Sequence, residues 1–170
     1  MRILLIITCL ANIAFAFGSL PWMPNPAAVH FGLGGIPDGF MVPITFARSV
    51  SYSVGMSTGV FICISLLMAR TPSSLIYIPN RGYWLNKENR PKTLRRLCSF
   101  IELCGIVMML FFLFMQWEIV QANQRVPPKL NGCIYLVFCT LPVFIAIAFV
   151  RLYLSFRLPK DKDNYIVKQQ

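Results

Sequence analysis

The chain has 170 residues, of which 56% are hydrophobic and only 13% charged, and its mean hydropathy is +0.63. So apolar a composition excludes a soluble domain with an ordinary solvated surface and makes a bilayer the expected solvent. A formal net charge of +10 invites comparison with nucleic-acid-binding proteins, yet no nucleic-acid-binding signature accompanies it.

Four stretches are long and apolar enough to cross a hydrocarbon core of about 30 Å as helices. They predict an all-α integral membrane protein made of one domain, residues 1–170, with four transmembrane helices near residues 3–20, 50–69, 97–121 and 132–155. An outer loop (21–49), a basic connection (70–96) and a tail (156–170) complete it. The first run begins at Arg2 and contains "AFAFG", which imitates a signal peptide with its cleavage site. Because "SLPW" prolongs the apolar run beyond that point, an uncleaved first helix is expected.

The segment "MPNPAAVHFGLGGIPDGF" follows, with the chain's single histidine, His30. Gly34 and Gly35 permit positive φ, and Pro37 stiffens the approach to Asp38, whose carboxylate can close a turn. His30 is expected to be held by Asp38 within a compact lid, with Phe31, Phe40, Val42, Ile44 and Phe46 supplying apolar contacts. One histidine and one carboxylate fall short of a metal site, and no nucleophile accompanies them, so no catalytic role, metal or cofactor is expected.

In the second span Ser51, Gly55, Gly59 and Cys63 recur every four residues, a stripe of small side chains that lets another helix approach closely. Another span of this chain is the default partner, and a second protein the alternative. The connection after it is basic and aromatic. Tyr77, Tyr83 and Trp84 suit a headgroup layer, and "KENRPKTLRRL" reads as a short helix leading into the third span. Attraction of its basic residues to anionic lipid explains the charge, with a cytoplasmic protein partner as the sharper alternative.

Charged side chains inside a span are costly and usually paired. Glu102 in the third span and Arg151 in the fourth lie at similar depth, so either they pair or each snorkels separately to the interface. The six cysteines form no C-x-x-C pair and lie mostly inside apolar runs, which favours packing over disulfides or metal. Of the 16 Lys and Arg residues, thirteen lie at Arg2, in the 70–96 connection and toward the C-terminus, against Arg48, Arg125 and Lys129 elsewhere. The positive-inside rule then puts both termini and the basic connection in the cytoplasm, with the His30 loop outside.

"LPWMPNPAAVHFGLGGIPDGFM" resembles the extracytoplasmic motif of a bacterial domain of unknown function that forms the N-terminal part of SdpI-type immunity and signalling membrane proteins. Leu20, Pro21, His30, Phe31, Gly32, Gly35, Pro37, Asp38 and Gly39 carry the resemblance, which covers about the first 50 residues. It implies a non-catalytic protein of the bacterial inner membrane that recognises a peptide toxin or an envelope signal through its outer loop. The alternative is a structural accessory subunit of a larger membrane complex. The partners expected are thus the lipid bilayer and either a peptide ligand or another membrane protein, with no nucleic acid.

Overall fold

The structure is a computed structural model that describes residues 1–157, so Lys160, Lys162 and Lys168 of the basic tail lie outside the described residues. Helix α1 spans Arg2–Gly18 and buries Leu5, Cys9, Asn12 and Ala16. Spacings of four, three and four residues put these on one helix face. After Ser19 and a 3-10 turn at Leu20–Trp22, the segment expected as a compact lid between helices forms an antiparallel hairpin, β1 (Ala27–Phe31) with β2 (Pro37–Met41). This is the one departure from an all-helical chain among the described residues.

Helix α2 spans Pro43–Arg70, starting seven residues before the apolar run at Val50 because Pro43, with its preset φ, opens the first turn. A 3-10 turn (Ser73–Leu75) and one helical turn, α3 (Arg81–Trp84), lead to α4, Arg90–Asn123. At about 51 Å for 34 residues, α4 exceeds the hydrocarbon thickness, and its first turns are the basic stretch. Helix α5 spans Cys133–Leu154. Helices α2, α4 and α5 are long and apolar enough to cross a membrane; α1, with 17 residues, is shorter.

The helices alternate in direction, which divides the bundle into a hairpin end and a basic end. Helices α1, α2 and α4 pack together around Leu5, Cys9, Val54, Ile106 and Met109. Gly105 makes this approach possible: a Cβ there would lie 2.9 Å from Phe61 Cγ and 3.0 Å from Leu5 Cδ1. Helix α5 lies against α4 through ring pairs, Phe100–Phe149 at 4.9 Å and Phe111–Phe138 at 5.3 Å, and Ile134 is its one buried residue. At the basic end, Phe156 is buried with Ile76, Leu94 and Leu97. Its carbonyl accepts hydrogen bonds from Asn80 Nδ2 at 3.0 Å and Trp84 Nε1 at 2.8 Å. The Arg96 guanidinium lies over the Trp84 and Phe156 rings, 5.5 and 5.7 Å from their centroids. Trp84 is therefore packed inside this cap, whereas Tyr77 is exposed as a headgroup anchor would be.

Candidate functional site

The hairpin lies across the helix ends and its motif residues have separable roles. Gly34 and Gly35, at φ +85° and +74°, make the reversal that a side chain would strain. Gly39 stands opposite His30, where a Cβ would come within 2.8 Å of His30 Cβ. Gly32 lies beside the Asp38 carboxylate, and Phe31 pairs with Pro37. His30 Nδ1 is 2.5 Å from Asp38 Oδ1, which orients the ring. Both side chains are largely exposed, 76% for His30 and 52% for Asp38, so the pair orders the hairpin surface and adds little to stability.

What fixes the hairpin to the bundle comes from α4. Asn123 accepts from the Ala28 backbone N–H and donates to the Ala28 carbonyl, both at 2.8 Å, so one buried amide completes the edge of β1 as a further strand would. At the hairpin tip Leu130 N–H donates to the Gly35 carbonyl at 3.0 Å, and Gly34 N–H to the Tyr135 hydroxyl at 3.1 Å. Gln124 also donates to the Trp22 carbonyl. The hairpin is thereby held by α4, by α5 and by the segment joining them.

Two apolar clefts flank β1. One, of about 430 Å³, lies between the hairpin tip and the α4–α5 pair and is lined by Phe31, Leu33, Met115, Leu130, Tyr135 and Phe138 among others. The second, of about 440 Å³, lies between α2 and α4 beneath the hairpin. Val29 and His30 line both.

The second cleft adjoins a buried polar network. Asn12 is fully buried, and its Nδ2 donates to the Thr8 carbonyl at 2.8 Å and the Met109 carbonyl at 3.0 Å. Those acceptors fix the amide orientation, so Asn12 Oδ1 must accept, which it does from Gln116 Nε2 at 2.7 Å. Gln116 Oε1 is left without a partner among the described residues, although the side chain is only 3% exposed. An unmatched buried amide oxygen costs about 1–3 kcal/mol.

Toward the basic end, Glu102 accepts from Arg2 Nε at 3.1 Å and from Ser65 Oγ at 2.8 Å. This corrects the expected Glu102–Arg151 pair. Glu102 shares with Gly105, Ile106, Met109 and Gln116 the face of α4 turned toward α1 and α2. Arg151 is exposed beside Phe100 and Leu103, on a different side of α4. Equal depth put the two charges at one level, but helix rotation decided which neighbour each met. The small-residue stripe is also redirected. Gly55, Gly59 and Cys63 are exposed, and a Cβ at either glycine would meet nothing within 4 Å, so the expected packing of this stripe against another span of the chain does not occur among the described residues. Helices α1 and α4 meet a different side of α2, at Val54, Thr58 and Ser65.

Comparison with family models, curated proteins and solved structures finds no significant match. The site is therefore read from its own geometry. Sequence reasoning overlooked Asn12 and Asn123. The usable signal for Asn12 was a lone amide in an apolar run, in step with Leu5, Cys9 and Ala16; for Asn123 it was an amide at the very end of the third apolar helix.

Proposed function

We propose that the chain is a four-span protein of the bacterial inner membrane that recognises an envelope ligand, of the peptide class, through its hairpin. Both termini and the 70–96 connection then face the cytoplasm, in keeping with the placement of thirteen of the sixteen Lys and Arg residues. The observation that carries the reading is the way Asn123 grips both backbone groups of Ala28. A hairpin fixed to the helices and flanked by apolar clefts is a preorganised recognition surface, with little ordering left to do when a ligand arrives. His30 and Asp38 present an oriented polar pair on that surface. The reading gives the hairpin a binding role and assigns it no chemistry.

Two measurements test it. Cysteine labelling in a Cys-free background should tag position 34 from outside and position 86 only after permeabilisation; the reverse pattern overturns the orientation. Cells expressing the protein should survive a membrane-active peptide better than cells expressing Asn123→Ala, and equal survival overturns the recognition role.

A structural accessory subunit is the second reading, favoured by the open face at Gly55 and Gly59 and by α5, which buries only Ile134. Purification in mild detergent with a partner at fixed stoichiometry would select it.

A further inference from the structure

We infer that the groove between α4 and α5 at the basic end is a binding site for an anionic phospholipid, whose phosphate is held by Arg151 and Arg96. The groove has a volume of about 380 Å³. Its α5 wall is Phe144, Ile147, Ala148, Arg151, Leu152 and Ser155, alternating steps of three and one that make one helix face. Its α4 wall is Phe100 and Leu103, and Arg96 lies one turn before Phe100 on the same face. A second apolar groove of about 430 Å³ shares Phe144 and continues the seam to Phe114 and Val137. From Phe100 to Phe114 is about 21 Å along α4. That exceeds the depth of about 15 Å that the acyl chains of one leaflet occupy.

Charge at one end of this groove selects the occupant. Arg151 is exposed and lines it, and the Ser155 N–H donates to the Arg151 carbonyl at 3.0 Å, which sets Ser155 one turn further along α5. Arg96 reaches Ser155 from α4, its Nη1 donating to the carbonyl oxygen at 3.4 Å and to Oγ at 3.5 Å. Both bonds are long, and the stacking over Trp84 and Phe156 keeps the guanidinium in place with its other donors unused among the described residues. The ion pairs among the described residues are Arg2–Glu102 and His30–Asp38, so neither Arg96 nor Arg151 is neutralised there. No Asp or Glu lines the groove, which leaves the ammonium of a zwitterionic headgroup nothing to meet. A phosphate of net negative charge instead finds guanidinium donors in the planar geometry that suits it. Basic pockets between membrane-spanning helices take anionic headgroups on the same grounds. Depth agrees: the 22 residues of α5 rise about 33 Å, close to the hydrocarbon thickness of about 30 Å, and Arg151 is in the last turn. On α4 the apolar run starts just after Arg96, which is level with Ser155. Both guanidiniums thus stand at the edge of the hydrocarbon layer, with the groove leading inward from them.

The inference rests on the chain being embedded in a membrane, not on the hairpin recognising a ligand. The test uses the full chain in phosphatidylcholine nanodiscs with two tracers, phosphatidylglycerol and phosphatidylcholine, each carrying a diazirine in one acyl chain. Light should cross-link the first to peptides of α4 and α5 around Leu103 and Ile147, with the second labelling them about tenfold less, as expected for one charge-assisted contact to phosphate. Arg151→Gln should bring the two tracers to near-equal labelling; because a ratio is read, partial misfolding does not imitate the result. Arg70→Gln removes the same charge at the end of α2, outside the groove, and should leave the ratio unchanged. Ala148→Trp should block labelling by both tracers by filling the groove while leaving both arginines in place. Equal labelling of the wild type by the two tracers overturns the inference. So does an equal loss in Arg70→Gln and Arg151→Gln, which is the mark of diffuse attraction to the whole basic end. Displacement of the phosphatidylglycerol tracer by inorganic phosphate also overturns it, since the site would then take a free anion. Failure of the tracers with cysteine topology intact removes the lipid site alone, whereas failure of the topology removes the membrane reading beneath it.

Discussion

The α1–α2–α4 core and helix α5 are both apolar, yet they are held by different means. The core interlocks through buried polar groups, namely Asn12 with Gln116, Thr58 with the Met109 sulfur, and Glu102 with Ser65 and Arg2, together with the close approach at Gly105. Helix α5 has a higher apolar content but buries one residue, and it is tied at its two ends, by Leu130 and Tyr135 to the hairpin and by Phe156 to Asn80 and Trp84. The difference teaches that, for helices in lipid, hydrophobicity does not choose neighbours, because lipid tails are as apolar as leucine. Hydrogen bonds and small residues choose them.

The strongest attempt to break this contrast is Gly105→Leu, which forces a side chain into Phe61 and Leu5 and should cost about 3 kcal/mol in unfolding assays in detergent. A near-neutral result would mean that the three helices are not in close contact there. Asn12→Leu should follow at about 2 kcal/mol, because it orphans Gln116 Nε2 as well as removing two bonds to carbonyls. If Gln116→Leu added to Asn12→Leu in full, the two would not be coupled and the network would be refuted.

Asn123→Ala should act locally, at about 1 kcal/mol, freeing β1 from α4 and raising protease cleavage within residues 27–41 while the bundle stays folded. Unchanged protection would move the anchor elsewhere, to the Gly35–Leu130 contact for example. The smallest effect belongs to α5: Ala146→Leu on its exposed surface should change stability by less than about 0.5 kcal/mol in detergent. A large loss would show that α5 is packed along its whole length and would erase the contrast.

Particular residues show how much of this could be read in the chain. Three long apolar helices were legible because mean composition over some twenty residues is enough to mark them. The turn glycines Gly34 and Gly35 were legible as well, since positive φ leaves a residue-type signature. The hairpin around them was not, because its register shifts between Ala28, His30 and Phe31 break the simple alternation that marks a strand. Nor was the start of α2, where a proline outweighed the drop in hydrophobicity.

By itself the sequence determined which segments avoid water, where the positive charges gather, and that His30 and Asp38 fall in one short turn-rich loop. These are properties of single residues and near neighbours. Only the tertiary structure decided that Glu102 meets Arg2 and Ser65 instead of Arg151, that Gly55 and Gly59 face away from the bundle, and that Asn12 orients Gln116 beside a cleft. Each depends on the rotation of one helix against another. A sequence records depth along a helix, but its rotation is set by the partners it packs against.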